Sequence, residues 1–197
     1  MVCNIKESKC GDCKLCCKVF VITELHKLAG EWCRNCPTKG CDIYDSRPEV
    51  CKQYRCMWLA RPKLFSEEFR PDKIGVVFNE CWEVGMFPLI EAHESYKGAF
   101  QKVKKNMEPV LGMGWGIAVC HLGGPHTILP PYFDMPFERG EWLERVQQRL
   151  AERCQITAYV VSQIKAEREA GVGAVFLADQ QLVQSGMTVD QEVAHDD

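Results

Sequence analysis

Ten of the chain's thirteen cysteines fall within its first 60 residues, at positions 3, 10, 13, 16, 17, 33, 36, 41, 51 and 56. The other three, Cys81, Cys120 and Cys154, are scattered through the remaining 137 residues. A segment so rich in thiols and so poor in long apolar runs has little core of its own, so its order must come from bonds that sulfur makes. The first residues, Met1-Val2-Cys3-Asn4-Ile5-Lys6-Glu7, carry no apolar stretch of an export signal. The expected compartment is therefore the reducing cytoplasm, where clustered cysteines serve metal ligation or catalysis more often than disulfides. An odd number of thiols also cannot all be paired as disulfides.

Spacing sharpens this reading. Cys10-Gly-Asp-Cys13-Lys-Leu-Cys16-Cys17 is a C-x2-C-x2-C-C run. A two-residue gap lets a tight turn aim both sulfurs at one ion, with nearby backbone amides free to hydrogen-bond to them. Cys10, Cys13 and Cys16 also match the C-x2-C-x2-C run that wraps one face of an iron–sulfur cluster. Neighbouring side chains diverge in a strand and by about 100° in a helix, so Cys16 and Cys17 are not expected to share a mononuclear site. Two metals or one polynuclear cluster account for the doublet better.

A second set follows: Cys33-Arg-Asn-Cys36-Pro-Thr-Lys-Gly-Cys41, then Cys51 and Cys56. Pro37 and Gly40 supply a turn, and Arg47-Pro48 breaks any helix and bends the chain back. The metal candidates are thus Cys10, Cys13, Cys16, Cys17, Cys33, Cys36, Cys41, Cys51 and Cys56. Two isolated tetrahedral ions would use eight of them, and three ions with three bridging thiolates all nine. One four-iron cluster would use four. The arithmetic permits each and selects none.

Charge is divided along the chain. Residues 1–60 hold ten Lys+Arg against seven Asp+Glu, and the rest hold fourteen against twenty, for a net −3. Lys14, Lys18, Arg34, Arg47, Lys52 and Arg55 are available to offset buried thiolate charge, although a solvated cationic face would look the same. The balance gives no reason to expect nucleic acid or an anionic membrane as partner, and no apolar run reaches the roughly 20 residues of a membrane span.

Cys10 to Cys17, with Gly30-Glu-Trp-Cys33, Gly40-Cys41-Asp-Ile-Tyr44-Asp-Ser-Arg47-Pro48, Cys51 and Tyr54-Arg-Cys56-Met-Trp58, resembles the bacterial YkgJ-type cysteine-cluster family, described as a zinc- or iron-chelating domain with a CxxCxxCC signature. The resemblance covers roughly residues 10–60. It implies a metal role for Cys10, Cys13, Cys16, Cys17, Cys41, Cys51, Cys56 and one of Cys33 and Cys36, since the family pattern has one cysteine fewer than this segment. The module also resembles part of flagellin lysine N-methylases, which are far longer, and their methyl transfer is not carried over.

Beyond residue 60 the sequence reads as fold. Ile74, Val76, Phe78, Trp82 and Val84 alternate, which predicts a strand with one buried face, broken at Glu80; Cys81 points the other way as a small apolar filler. Tyr96, Phe100, Val103 and Met107 predict an amphipathic helix ended by Pro109, with Lys102, Lys104 and Lys105 on its solvated side. Gly112-Met-Gly114-Trp-Gly116 precedes the apolar run Ile117–Cys120 and is a glycine-softened strand start, not a dinucleotide loop. Cys120-His121, with His126 close behind, reads as packing more readily than as an added ligand pair. Pro130-Pro131 and Pro136 mark an extended loop. Trp142, Leu143, Val146 and Leu150 give a helix face; Ile156–Val161 suits either its continuation or a strand. Ala174–Ala178 and Gln181–Val183 are read as a short hairpin.

The expected architecture is α+β: an irregular Cys-rich, metal-binding N-terminal lobe (1–60) on a small sheet with packed helices (61–190), the two packed as one compact unit, and a frayed acidic tail (191–197). The expected function is metal binding by cysteine thiolates, with iron (as an iron–sulfur cluster) and zinc near-equal alternatives, in a centre expected to be polynuclear. The alternatives are a metal-dependent enzyme of redox, sulfur or methyl transfer with an open metal position, and a structural zinc module that displays a surface. No serine, histidine or paired-carboxylate set stands out as catalytic.

Overall fold

In the computed structural model, residues 10–36, 40–84, 87–122, 124–132 and 136–171 are described. The expected C-terminal hairpin and acidic tail lie outside them, as do the side chains of Cys81 and Trp82. The body is built on a four-stranded mixed sheet: β1 (Val76–Val84), β2 (Phe87–Glu94), β3 (Gly116–Cys120) and β4 (Thr127–Leu129) lie in that order. β1 and β2 pair antiparallel, β2 and β3 parallel, and β3 and β4 antiparallel. The fold is α+β, with the cysteines gathered ahead of the sheet.

The central strand β2 explains why both faces are covered. Leu89, Ile90, Glu91, Ala92 and Glu94 are all buried, so the alternation that marks a half-exposed strand is absent. On one face, Val76, Phe78, Ile90, Ala92, Ile117 and Val119 pack against Phe65, Phe100, Met107 and Val110. On the other, Leu89 and Ala118 pack against Trp142, Val146 and Leu150 of the long helix.

β1 departs from its expected single buried face. Its register with β2 shifts between Glu80 and Trp82, and such a bulge moves every later residue to the opposite side. Val76 and Phe78 therefore face one core and Val84 the other, while Val77 is buried beneath the cysteine lobe. Ile74 ends the short helix α4 (Pro71–Ile74), which follows α1 (Cys16–Val19), α2 (Glu49–Gln53) and α3 (Met57–Ala60), and does not join the strand.

The expected helix over residues 96–107 is replaced by two 3-10 turns, Phe100–Lys102 and Lys104–Met107. Pro109 opens helix α5 (Glu108–Gly112) instead of ending a helix, because a proline lacks only an N–H that the first turn leaves unused. Buried Glu94 holds this segment by accepting the Phe100 N–H at 2.8 Å.

Helix α6 (Pro136–Glu169) runs unbroken through Ile156–Val161. Ile156 and Tyr159 are exposed there, so the β-branched run follows the helix on either side of it. At 34 residues α6 is about 51 Å long. Its first half lies under the sheet. Near its end Arg168 donates to the His26 carbonyl at 2.8 Å and pairs with Glu31 at 2.9 Å, while Glu167 meets His26 Nε2 at 2.9 Å. The helix thus ties the body to the cysteine lobe. Among the described residues no helix is long and apolar enough to cross a membrane.

Candidate metal centre

The lobe is a set of turns around a cavity. Cys13 N–H bonds to the Cys10 carbonyl and Cys36 N–H to the Cys33 carbonyl, each at 3.0 Å, so two of the three C-x2-C gaps close into the turns their spacing implies. Cys33 N–H reaches the Cys17 carbonyl at 3.0 Å and ties the two segments together. Cys51 enters α2 with its N–H on the Pro48 carbonyl at 2.9 Å, which is the bend that Arg47-Pro48 implies.

Eight of the nine candidate thiols, those of Cys10, Cys13, Cys16, Cys17, Cys33, Cys36, Cys41 and Cys51, line one cavity of about 270 Å³. Cys56 lies behind its wall, buried at the start of α3. The Cys16–Cys17 doublet opens helix α1 (Cys16–Val19). Cys17 packs with Cys33, Cys36, Cys41 and Cys51 around Ile22, Leu25 and Ile43. Cys10, Cys13 and Cys56 gather instead with Leu15, Val19, Leu59 and Val77. The thiol of Cys17 lies close enough to those of Cys16 and Cys36 to be shifted by them, and close enough to Cys10 of the other group to raise its pKa, so the doublet sits where the two groups meet.

The eleven cysteines whose side chains are described are free thiols. Burial, reinforced by Cys17, pushes the Cys36 thiol up to about 12. Burial likewise lifts Cys51 and Cys56 to about 11. Cys17 is raised further, first by its bond with Cys16 and then by burial. Without an ion these sulfurs stay protonated at neutral pH, and an ion that binds them must displace protons.

The cation best placed to compensate thiolate charge is one that the sequence reading did not select. Lys27 is 4% exposed and donates to the carbonyls of Lys18, Phe20 and Leu28, close enough to Cys33, Cys17 and Cys16 to feel their charge. Of the expected cations, Arg47 and Lys14 line the cavity, and the ammonium groups of Lys14 and Lys18 stand over the exposed ring of Trp32 at 5.7 Å.

Tyr54 and Asn79 also line the cavity and hydrogen-bond to each other. Behind them lies a group that sequence reasoning missed. Among the described residues, three donor atoms that all lie within 4.8 Å of one another are found on Glu91, His93 and Cys120; the lobe's thiols are spread around their larger cavity. Glu91 and His93 went unnoticed because β2 was not recognised as a strand, and only a strand puts positions i and i+2 on one face. Cys120 and His121 part company: Cys120 faces this group, and His121 Nδ1 lies 2.8 Å from Glu94 Oε2.

No family model matches the chain, and neither a curated protein nor a solved structure does. What can be said of function rests on its own geometry. The thiol-lined cavity and the Glu–His–Cys group are both compatible with metal binding.

Proposed function

We propose that the chain is a metal-binding protein whose N-terminal cysteines hold a polynuclear thiolate centre, of iron as an iron–sulfur cluster or of zinc, in the manner of the YkgJ-type cluster that residues 10–60 resemble. The observation that carries this reading is the convergence of eight thiols from four chain segments on one cavity. A lone tetrahedral ion would draw four sulfurs to about 3.8 Å from one another, given metal–sulfur bonds of about 2.3 Å. Thiols arranged around a larger volume, in two groups that meet at Cys16 and Cys17, suit several metal atoms better. Buried Lys27 supports it further, because a centre with an excess of thiolates carries net negative charge that must be offset inside the protein.

An enzymatic use of the centre is favoured over a purely structural one by the polar groups that share the cavity. Tyr44, Arg47, Tyr54 and Asn79 line it beside the thiols, which gives the cavity a polar edge for a substrate in addition to its metal ligands.

The test is elemental analysis with visible absorption of protein grown in iron-replete medium and kept anaerobic. Iron with sulfide and brown absorption bands, or zinc at more than one ion per chain, is the expected result. Purified protein with neither metal, whose nine thiols all alkylate at the rate of free cysteine, would overturn the proposal.

A further inference from the structure

Glu91 and His93 stand two residues apart on β2, on one face of the sheet. The parallel register sets Cys120 of β3 directly opposite His93, so the three side chains converge by strand geometry alone. Asn79, the register partner of Glu91 on β1, separates the group from the thiol cavity, and Phe20 packs edge-on against His93 with ring centroids 4.8 Å apart.

Each member is already oriented. Glu91 is 2% exposed. Its Oε1 is held by Arg153 from α6, which leaves Oε2 turned to His93 Nε2 at 2.9 Å. Beyond them, His126 Nδ1 lies 3.8 Å from Cys154 Sγ, and His126 is near enough to Glu91 and His93 to feel their charge.

We infer that Glu91, His93 and Cys120 form a second metal site, distinct from the thiolate cavity, for a divalent ion of the zinc class, with its fourth position open to water. One carboxylate, one imidazole and one thiolate make a donor set that zinc accepts in a tetrahedron. Magnesium and calcium favour oxygen alone, and cuprous or iron–sulfur sites favour sulfur. Ligand bonds of about 2.0–2.2 Å put neighbouring donors about 3.3 Å apart, so an ion replaces the proton between His93 and Glu91 with only a small separation of the two. Arg153 keeps its hold on Oε1 and acts as the outer partner that fixes the carboxylate. A plain His–Glu–Arg ion-pair network would need none of the thiol that strand register supplies at this spot.

The full-length protein, reduced and anaerobic, is loaded with cadmium alone and its cadmium NMR spectrum recorded. A resonance shifted to the range of mixed sulfur, nitrogen and oxygen ligation is expected beside those of sulfur-rich ligation. Cys120→Ser and His93→Gln should each abolish it and lower the bound metal by one ion per chain, with the sulfur-rich resonances intact. A wild-type spectrum with sulfur-rich resonances only overturns the inference, and needs no variant to fold. So does a folded variant that keeps the mixed-donor resonance. A spectrum with the mixed-donor resonance alone would uphold this site and remove the thiolate centre instead.

Discussion

The ammonium group of Lys27 lies 3.0 Å from the carbonyl oxygen of Lys18, nine residues earlier, behind the wall of the cysteine cavity. It also donates to the carbonyls of Phe20 and Leu28. One side chain therefore satisfies three carbonyls of the loop that carries Cys17 and brings a positive charge to thiols that metal would ionise. Burial pulls the Lys27 pKa down, and the neighbouring Cys33 and Cys17 thiolates oppose that.

Lys27→Met keeps much of the packing and removes both contributions. Leaving buried carbonyls without a donor should cost about 1–3 kcal/mol in the metal-free protein. In the loaded protein the loss should be larger, because uncompensated thiolate charge adds to it. Denaturant titrations with and without metal measure the two losses. Equal losses would leave Lys27 as a structural donor with no part in charge compensation.

The raised thiol pKa values carry a sign that reverses on loading. In the metal-free lobe Cys36 sits near 12, and Cys51 and Cys56 near 11, above the ordinary thiol value. A folded-state pKa above the unfolded one stabilises below the unfolded value and loses that stability as pH rises through the folded one. The metal-free lobe should therefore weaken between about pH 9 and about pH 12. With metal bound the same sulfurs are thiolates, protons compete for them, and stability should instead fall on acidification. Hydrogen exchange of residues 10–56 across pH, in both forms, checks this. Parallel profiles in the two forms would mean that metal does not reach these thiols.

How far the sequence foreshadows the structure depends on whether a residue's role is local. The turns at Cys10–Cys13 and Cys33–Cys36 are local geometry and appear as spacing implies, whereas Cys16 and Cys17, expected to diverge, keep their thiols close at the start of α1. The strand start at Gly116 is local too, although Gly112, read as part of the same entry, closes α5 instead. Pro109 misled because a proline that ends one helix also suits the first turn of the next. β2 escaped notice because both its faces are buried, which lets Glu91 and Glu94 sit inside the fold with His93, Arg153 and His121 as partners. Of those partners only His93 lies within Phe87–Glu94; His121 follows β3 and Arg153 belongs to α6, and no periodicity of β2 announces them. Lys27 was missed for a related reason: its burial follows from the Ile22–Lys27 bridge that closes the loop over it, not from its neighbours in sequence.

Two glycines near the sheet should respond in opposite ways to alanine. A Cβ on Gly116 would overlap the ring of Trp142 in α6, where Trp142, Val146 and Leu150 seal the second core. Gly116→Ala should cost about 1–3 kcal/mol through overpacking. A Cβ on Gly112, at the end of α5, meets nothing within 4 Å, and Gly112→Ala should be neutral or stabilise by up to about 1 kcal/mol. Thermal midpoints of the two variants decide the matter. Equal midpoints would show that α6 does not bear on β3 as closely as the structure places it.

The division of the thiols into two groups separates one shared cluster from two independent ions. Cys17 belongs with Cys33, Cys36, Cys41 and Cys51, and Cys13 with Cys10 and Cys56. If each group holds its own ion, Cys17→Ser and Cys13→Ser should remove different fractions of the bound metal, and the double variant should lose the sum. Their effects on the unfolding free energy should then add within about 0.5 kcal/mol, as distant sites do. If one cluster spans both groups, either substitution should release most of the metal. The double variant would then be little worse than a single one, with a coupling of about 0.5–3 kcal/mol. Metal content by elemental analysis and stability by denaturant titration, on all four proteins, distinguish the two cases. The closeness of the Cys16 and Cys17 thiols, with Cys17 near enough to Cys10 of the other group to raise its pKa, favours the second.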